Sequence, residues 1–359
     1  MNTIKVLLVD DSLLARRLIS NALNASGQVE VVGTAASGAA ALAQLATGAP
    51  DAVILDYEMP GMNGAETLLK LREIYPALPV IVFSGASEHS ARVTVDALAA
   101  GASDFVAKPT SSGPDLATIV ESELAPRLSA LCNRVSLRPI KELPDRNASA
   151  RERLPTGALQ VVVIASSTGG PNALANLLSH IPATIPVPIL IAQHMPPVFT
   201  RCLAERLDSA SPLIVREAQG GELLTAGSVW IAPGNYHLEI EAVPEGARTS
   251  LNQGPHENSC RPAADALFRS AASVFGPGVL GIVLTGMGHD GLSGAHAIVA
   301  ANGAVLAQDE KSAVVWSMPK AIVEAGLADA VLSLEALADE LLRRAARKRS
   351  ILAERRLRP

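Results

Sequence analysis

Two hydrophobic periods alternate along residues 1–125. Short apolar runs at Lys5–Val9, Val29–Gly33, Ala52–Leu55, Val80–Phe83 and Asp104–Ala107 are separated by stretches such as LLARRLISNALNAS, where apolar residues recur every three or four positions. The runs predict buried parallel strands and the spaced stretches amphipathic helices, together an open parallel (βα)5 sheet. Helical spacing then continues from Leu116 to about Asn133 and gives way to SLRPIKELPDRNASARERLPTG, a charged, proline-containing stretch with no apolar period. The pattern resumes at Leu159. The run Val161–Ala165 stops at Ser166, Ser167, Thr168, Gly169 and Gly170, then restarts at helical spacing through Ala173, Leu174 and Leu177. Further apolar runs, Pro188–Ala192 and Val279–Leu284, lead into His194 and into a glycine-rich loop holding Met287, His289 and Asp290. These predict a second, doubly wound and mostly parallel α/β domain. The expected layout is a first domain at 1–125, a helix extension and linker at 126–157, a second domain at 158–345 and a basic tail at 346–359.

Composition changes this picture little. A chain of 359 residues is long enough for two cores. No apolar run approaches the ~18 residues of a membrane span, and MNTIKVLLVDDS lacks a signal-peptide layout, so a cytoplasmic protein without membrane insertion is expected. Cys132, Cys202 and Cys260 are scattered without metal-ligand spacing, which suits a reducing compartment. A net charge of -5 gives no reason to expect nucleic acid as a partner.

In open parallel sheets ligands gather at the carboxyl ends of the strands. In the first domain those ends carry Asp10 and Asp11, Asp56, Ser84 and Lys108. Three converging carboxylates repel one another unless a cation sits among them, and an all-oxygen ligand set suits magnesium. With a lysine and a hydroxyl nearby, Asp56 is placed to attack a phosphoryl group. Any one strand-end aspartate is otherwise a helix cap; four matching positions together argue against that. VLLVDDS, ILDYEMPGMNG, VFSG and DFVAKP resemble the flavodoxin-like receiver domain of two-component response regulators. The resemblance implies Asp56 as phosphoacceptor and magnesium held by Asp10, Asp11, Asp56 and the backbone carbonyl of Glu58. It further implies Ser84 and Lys108 on the phosphoryl group, Phe105 as a switch aromatic, a cis peptide at Lys108–Pro109 and a histidine kinase as phosphodonor.

In the second domain Ser167, His194 and Asp290 each follow an apolar strand. If those strands are parallel, nucleophile, base and orienter meet at one edge. An imidazole activates a serine hydroxyl, and a buried carboxylate fixes the imidazole's tautomer. Backbone N–H groups at the start of the helix after Ser167 and at Met287 would serve an oxyanion. The simpler alternative for the serine turn is a helix cap. Ser166 ranks second as nucleophile because it points the other way along the strand. His289 adjoins Asp290 too closely to be oriented by it, and His237 and His256 read as exposed loop or rim residues. A-x-S-x-G replaces the G-x-S-x-G of α/β-hydrolases, and the order Ser, His, Asp differs from theirs, which disfavours an ordinary lipase or esterase.

SSTGGP, AQHMP, WIAPGNYHL, RPAADALF, LTGMGHDGLSGA and SMPKAI resemble the chemotaxis protein-glutamate methylesterase (CheB) family, whose members join such a domain to an N-terminal receiver. The resemblance implies a triad of Ser167, His194 and Asp290 with the Met287 N–H in the oxyanion hole, and no cofactor for the esterase reaction. Ala165 and Ser166 stand where the family usually has Gly-Ala, which leaves the choice between the two serines to be tested. Arg261 lines the substrate cleft or anchors its loop; an ion pair with Asp265 is the structural alternative. The implied substrate is a glutamate γ-methyl ester on methyl-accepting chemoreceptors, and family members can also deamidate receptor glutamines. Receiver phosphorylation is expected to relieve occlusion of the Ser167 cleft. The tail RRAARKRSILAERRLRP reads as a solvated end or as a contact for an acidic receptor surface. A receptor-binding module switched by phosphorylation but without turnover is the competing class of function.

Overall fold

The computed structural model describes residues 3–109, 114–132 and 158–356, with side chains up to 346. The chain divides into two compact units, 1–138 and 139–359. Most of the expected linker, 133–157, and the tail's side chains lie outside the described residues.

The first unit runs β1 (Ile4–Val9), α1 (Leu13–Ala25), β2 (Val29–Ala35), α2 (Gly38–Leu45), β3 (Ala52–Asp56), α3 (Gly64–Ile74), β4 (Val80–Ser84), α4 (Glu88–Ala99) and β5 (Asp104–Ala107). A final helix follows: α5 (Leu116–Ile119), a π-helical turn at Val120–Leu124, and α6 (Ala125–Cys132). The strands are parallel in the order β2-β1-β3-β4-β5, so β1 and β3 are flanked on both sides and their residues are almost wholly apolar and buried. Ser12, Ser37, Asn63, Ser87 and Asp115 cap helices with their side chains, which explains why each helix starts where it does.

The second unit runs β6 (Val161–Ser166), α7 (Gly170–Ser179), β7 (Ile189–Gln193), α8 (Phe199–Ala210), β8 (Ile214–Glu217), β9 (Ser228–Ile231), β10 (His237–Val243) and β11 (Gly246–Asn252). It continues through α9 (Ala264–Phe275), β12 (Val279–Val283), α10 (Leu292–Ala300), β13 (Ala304–Gln308), α11 (Ser317–Glu324), β14 (Ala330–Leu332) and α12 (Leu334–Arg356). Seven strands form a parallel sheet in the order β14-β13-β12-β6-β7-β9-β8, and β10 and β11 pair separately as an antiparallel hairpin. Chain order steps from β6 one way to β7 and the other way to β12. Ser167 therefore follows the strand at the topological switch point, where such sheets open a crevice for ligands. Val161, Val163, Val283, Leu267 and Phe268 pack in the core beneath that edge.

Two expectations are corrected. Among the described residues the cis peptide is Arg261–Pro262, not Lys108–Pro109; cis and trans X–Pro bonds differ by only about 1 kcal/mol, so local sequence does not decide between them. His237 is not a rim residue. It opens β10, is buried, places Nε2 2.9 Å from the Pro255 carbonyl and accepts from Ala263 N–H at Nδ1.

Candidate active site and phosphoacceptor site

Strand register sets the second domain's site. Ser166 pairs with Gln193 across β6 and β7, so Ser167 and His194, one residue on, emerge side by side at the carboxyl edge. On the other flank Val283 pairs with Ala165, and the chain beyond β12 stays in step: Ser167 N–H donates to Thr285 O at 3.0 Å. Gly169, at φ 76, makes the left-handed turn that starts α7 immediately after the serines. Gly286 lies against Ser167 so closely that a Cβ there would sit 2.8 Å from the serine Cβ. Next in the chain, Met287 N–H has no acceptor among the described residues. A free backbone donor beside a serine is what an oxyanion requires.

The two serines are in different situations. Ser166 is 0% exposed, and its hydroxyl donates to Gln193 Oε1 at 2.7 Å; the same amide donates to the carbonyls of Ser167 and His194. Ser167 is 7% exposed and its hydroxyl makes no hydrogen bond among the described residues. Ser166 is thus committed to structure, while the Ser167 hydroxyl is uncommitted among the described residues.

His194 Nε2 lies 2.7 Å from Asp290 Oδ2. Asp290 is buried, yet its carboxylate is heavily supported. Oδ2 also accepts from Ala264 N–H, and Oδ1 from Asp265 N–H, Gly291 N–H and the Asn258 side chain. Ala264 and Asp265 begin α9, so the carboxylate caps that helix and meets the positive end of its dipole. Burial opposes the anion, but His194 and these backbone donors outweigh it and hold the Asp290 carboxyl below its ordinary range. Burial likewise opposes charge on the ring, while Asp290 and Cys260 push His194 up to about 10. Cys260 Sγ stands 3.5 Å from Nδ1, the nitrogen that Asp290 leaves open. No hydrogen bond joins Ser167 to that nitrogen among the described residues. Loose nucleophile–base contacts are common before substrate arrives.

His289 and His256 are exposed and stand apart from these contacts. Arg261 does not pair with Asp265: it holds Asn235 Oδ1 and the carbonyls of Gln253 and Gly254, while Asp265 accepts from Gly294 N–H and Asn258. The ion-pair alternative fails because Asp265's oxygens face α10 and Asn258, not Arg261. The arginine ties together the loops on either side of the hairpin.

In the first domain, carboxylate oxygens of Asp10, Asp11 and Asp56 lie within 4.8 Å of one another. Lys108 Nζ donates to Asp56 Oδ2 at 2.6 Å and to Asp10 Oδ2 at 3.2 Å. Burial raises the Asp56 carboxyl to about 6 and Asp10 adds to this, with Lys108 opposing. Burial works against the Lys108 ammonium, but the two carboxylates raise it. Three acidic side chains beside a lysine that bonds only Asp10 and Asp56 call for further positive charge, and their oxygen donors fit magnesium. Glu58 N–H donates to Asp56 Oδ1, and the Glu58 carboxylate accepts from Ser90, leaving the Glu58 carbonyl beside the cluster in sequence. Ser84 ends β4 next to β3 and is fully buried, its hydroxyl reaching the Ser90 carbonyl at 3.4 Å. Phe105 is buried on β5.

Comparison with known proteins now bears on both sites. Residues 162–341 match the family model of the CheB methylesterase, and residues 6–121 that of the response regulator receiver domain. The protein-glutamate methylesterase/protein-glutamine glutaminase of Trichodesmium erythraeum is 46% identical over 350 residues, covering 96% of this chain and 99% of that protein. This chain belongs to the CheB methylesterase family. A second family member with the same description, from a Nocardioides species, is 47% identical and covers 98% of both chains. The crystal structure of the Thermotoga maritima CheB methylesterase catalytic domain is 41% identical, covers 52% of this chain and 99% of that one, and superposes with a TM-score of 0.51.

Sequence patterns bring Ser167, His194 and Asp290 to strand ends but miss five contributors. Gln193 and Asn258 carry no chemistry of their own and follow no periodic signal. The Ala264 and Asp265 amides act through backbone alone, although Asp265 in the first turn of a helix was a usable cue. Cys260 has no metal-ligand spacing in the sequence, and its neighbour in the fold is an imidazole 66 residues away.

Proposed function

We propose that this chain is a phosphorylation-activated serine hydrolase that demethylates glutamate γ-methyl esters on methyl-accepting chemoreceptors and also deamidates receptor glutamines. The observation that carries the proposal is the His194–Asp290 pair fixed at the strand edge, together with a Ser167 hydroxyl and a Met287 N–H that have no hydrogen-bond partner among the described residues. Ser167 Oγ attacks the ester carbonyl. Because Nε2 is held by Asp290, the proton passes to His194 Nδ1, and Asp290 stabilises the imidazolium. The Met287 N–H meets the developing oxyanion. His194 then protonates the departing methoxide and activates the water that frees Ser167. Amide hydrolysis follows the same path with a poorer leaving group that must be protonated to depart, so it should be the slower reaction. The whole-chain relatives carry an enzyme's name, and a binding module without turnover finds no support.

Asp56 is the phosphoacceptor in this proposal, with Lys108 and Ser84 on the phosphoryl oxygens and Phe105 as the aromatic that responds. Asp10, Asp11, Asp56 and the Glu58 carbonyl would hold magnesium, which supplies charge neutralisation at the phosphoryl group. A histidine kinase is the phosphodonor and the cytoplasm the setting; no helix among the described residues is long and apolar enough to cross a membrane. The functional boundaries are taken as 1–125, 126–157, 158–345 and 346–359. The test is methanol release from a methylated receptor fragment, with and without magnesium and acetyl phosphate. Release that rises with the phosphodonor supports the proposal. Absence of release under every condition, with receptor fragments from several pathways, overturns it.

A further inference from the structure

The turn Glu257–Cys260 holds both members of the base pair. Glu257 and Cys260 exchange two backbone hydrogen bonds, of 3.1 and 2.8 Å, across a tight turn. To close it, Asn258 and Ser259 both take left-handed backbone conformations, at φ 51 and 63. Such conformations are costly for residues other than glycine, and they concentrate where function over-determines the backbone. The turn is pinned from outside by the Glu257–Arg269 ion pair to α9, at 2.6 Å, and by the bonds of Arg261. From it Asn258 reaches Asp290 and Asp265, each at 2.9 Å, while Cys260 reaches His194 Nδ1 at 3.5 Å.

An imidazole has two nitrogens. Asp290 takes Nε2, and four other donors keep that carboxylate in place, so the ring has no easy alternative pose. Nδ1 is therefore the nitrogen that must accept the Ser167 proton, and the sulfur stands at it. We propose that Cys260 is a positioning residue for the general base: its thiol occupies His194 Nδ1 at rest and holds the ring disengaged from Ser167 until substrate binds. The inference rests on the triad proposed above. When the thiol gives its proton to Nδ1, the result is a thiolate beside an imidazolium that lacks a free lone pair for Ser167; return of the proton to sulfur restores the base. Among titratable groups the ring faces Asp290 and Cys260, with Asp265 behind the aspartate; His289 and Arg261 do not bond to it. Asp290 and Cys260 both raise the ring's affinity for a proton, so removing the thiol should lower it.

Cys260→Ser and Cys260→Ala test this in two readouts. The first is the titration of His194 by NMR in Ser167→Ala protein, which needs no turnover. The second is the pH profile of kcat/KM for methyl ester hydrolysis in protein with Ser167 intact. The expected result is a His194 titration moved down by about one pH unit or more in Cys260→Ser, with the acidic limb of the profile moving equally. At a pH below that limb, this is a rise of about tenfold in kcat/KM. A His194 titration unchanged in both variants overturns the inference, as does a limb that stays put while the titration moves. Failure of the triad itself would be recognised separately, by turnover that survives Ser167→Ala while the NMR titration still reports on Cys260.

Discussion

Replacing Asp290 by Asn should separate what the carboxylate does for the reaction from what it does for the fold. The carboxylate accepts five hydrogen bonds: Oδ2 from His194 and Ala264 N–H, Oδ1 from Asn258, Asp265 N–H and Gly291 N–H. An amide offers one oxygen and one NH2. With its NH2 toward His194 the ring can switch tautomer and accept from it, which leaves Ala264 N–H facing a donor; turned the other way, three donors face the NH2, so a stability loss of at least ~1–3 kcal/mol is expected. The wrong His194 tautomer and the lost imidazolium partner should together cost about 10^4-fold in kcat, near 5 kcal/mol of barrier. The two effects have different pH signatures. Asp290 titrates lower in the fold, so its contribution is present above the unfolded value near 4 and lost as pH falls. His194 titrates higher, so its contribution is full below about 6.5 and lost as pH rises toward about 10. The stability gap between wild type and Asp290→Asn should therefore be widest between about pH 4 and 6.5. Urea unfolding across pH, with ester turnover at one pH, measures both. A variant with wild-type turnover, or a stability gap flat across pH, would refute the reasoning.

Other predictions follow from local geometry. Gly286→Ala places a Cβ 2.2 Å from Met318 Sδ and 2.8 Å from Ser167 Cβ, so esterase turnover should fall at least tenfold and stability by about 1–3 kcal/mol, read by turnover and thermal melting. Asp56→Asn should abolish phosphoryl uptake from acetyl phosphate while leaving basal ester hydrolysis in place; undiminished uptake, measured by intact mass, would contradict the assignment. In metal-free protein Asp56 should titrate near 6, followed by carbon NMR. Because its folded value lies above the unfolded one, it destabilises the first domain above about pH 6, and that burden disappears as pH falls below about 4. Deleting residues 1–150 should raise basal ester hydrolysis; an unchanged or lower rate would sink the expected inhibition by the receiver.

The sequence made the strands at the sheet centres legible because they are buried on both faces and read as unbroken apolar runs. Val161–Ala165 and Val279–Leu284 agree closely with β6 and β12. The outer parts were harder. Ser228–Ile231 is a short strand in which buried Val229 and Ile231 alternate with partly exposed neighbours, Ala330–Leu332 is a short strand of partly exposed residues, and His237–Val243 belongs to a separate hairpin with charged positions on its open face. No long apolar run marks them. Ser167, His194 and Asp290 were legible because each follows a strand end. What orders them was not: the Asp290 cradle is built from the amides of Ala264, Asp265 and Gly291, and an amide has no side-chain signature. Cys260 illustrates the same limit, since its chemistry comes from a neighbour distant in sequence.

Ser167, not Ser166, is the proposed nucleophile. Ser166 is wholly buried and its hydroxyl donates to Gln193, whereas the Ser167 hydroxyl has no hydrogen-bond partner among the described residues and lies near the Met287 N–H. The most direct measurement is methanol release from a methylated receptor fragment by wild type, Ser166→Ala and Ser167→Ala under one set of conditions. Loss of release in Ser167→Ala, with Ser166→Ala retaining a measurable fraction of it, is the predicted result. Turnover that survives Ser167→Ala and vanishes in a folded Ser166→Ala protein would contradict it.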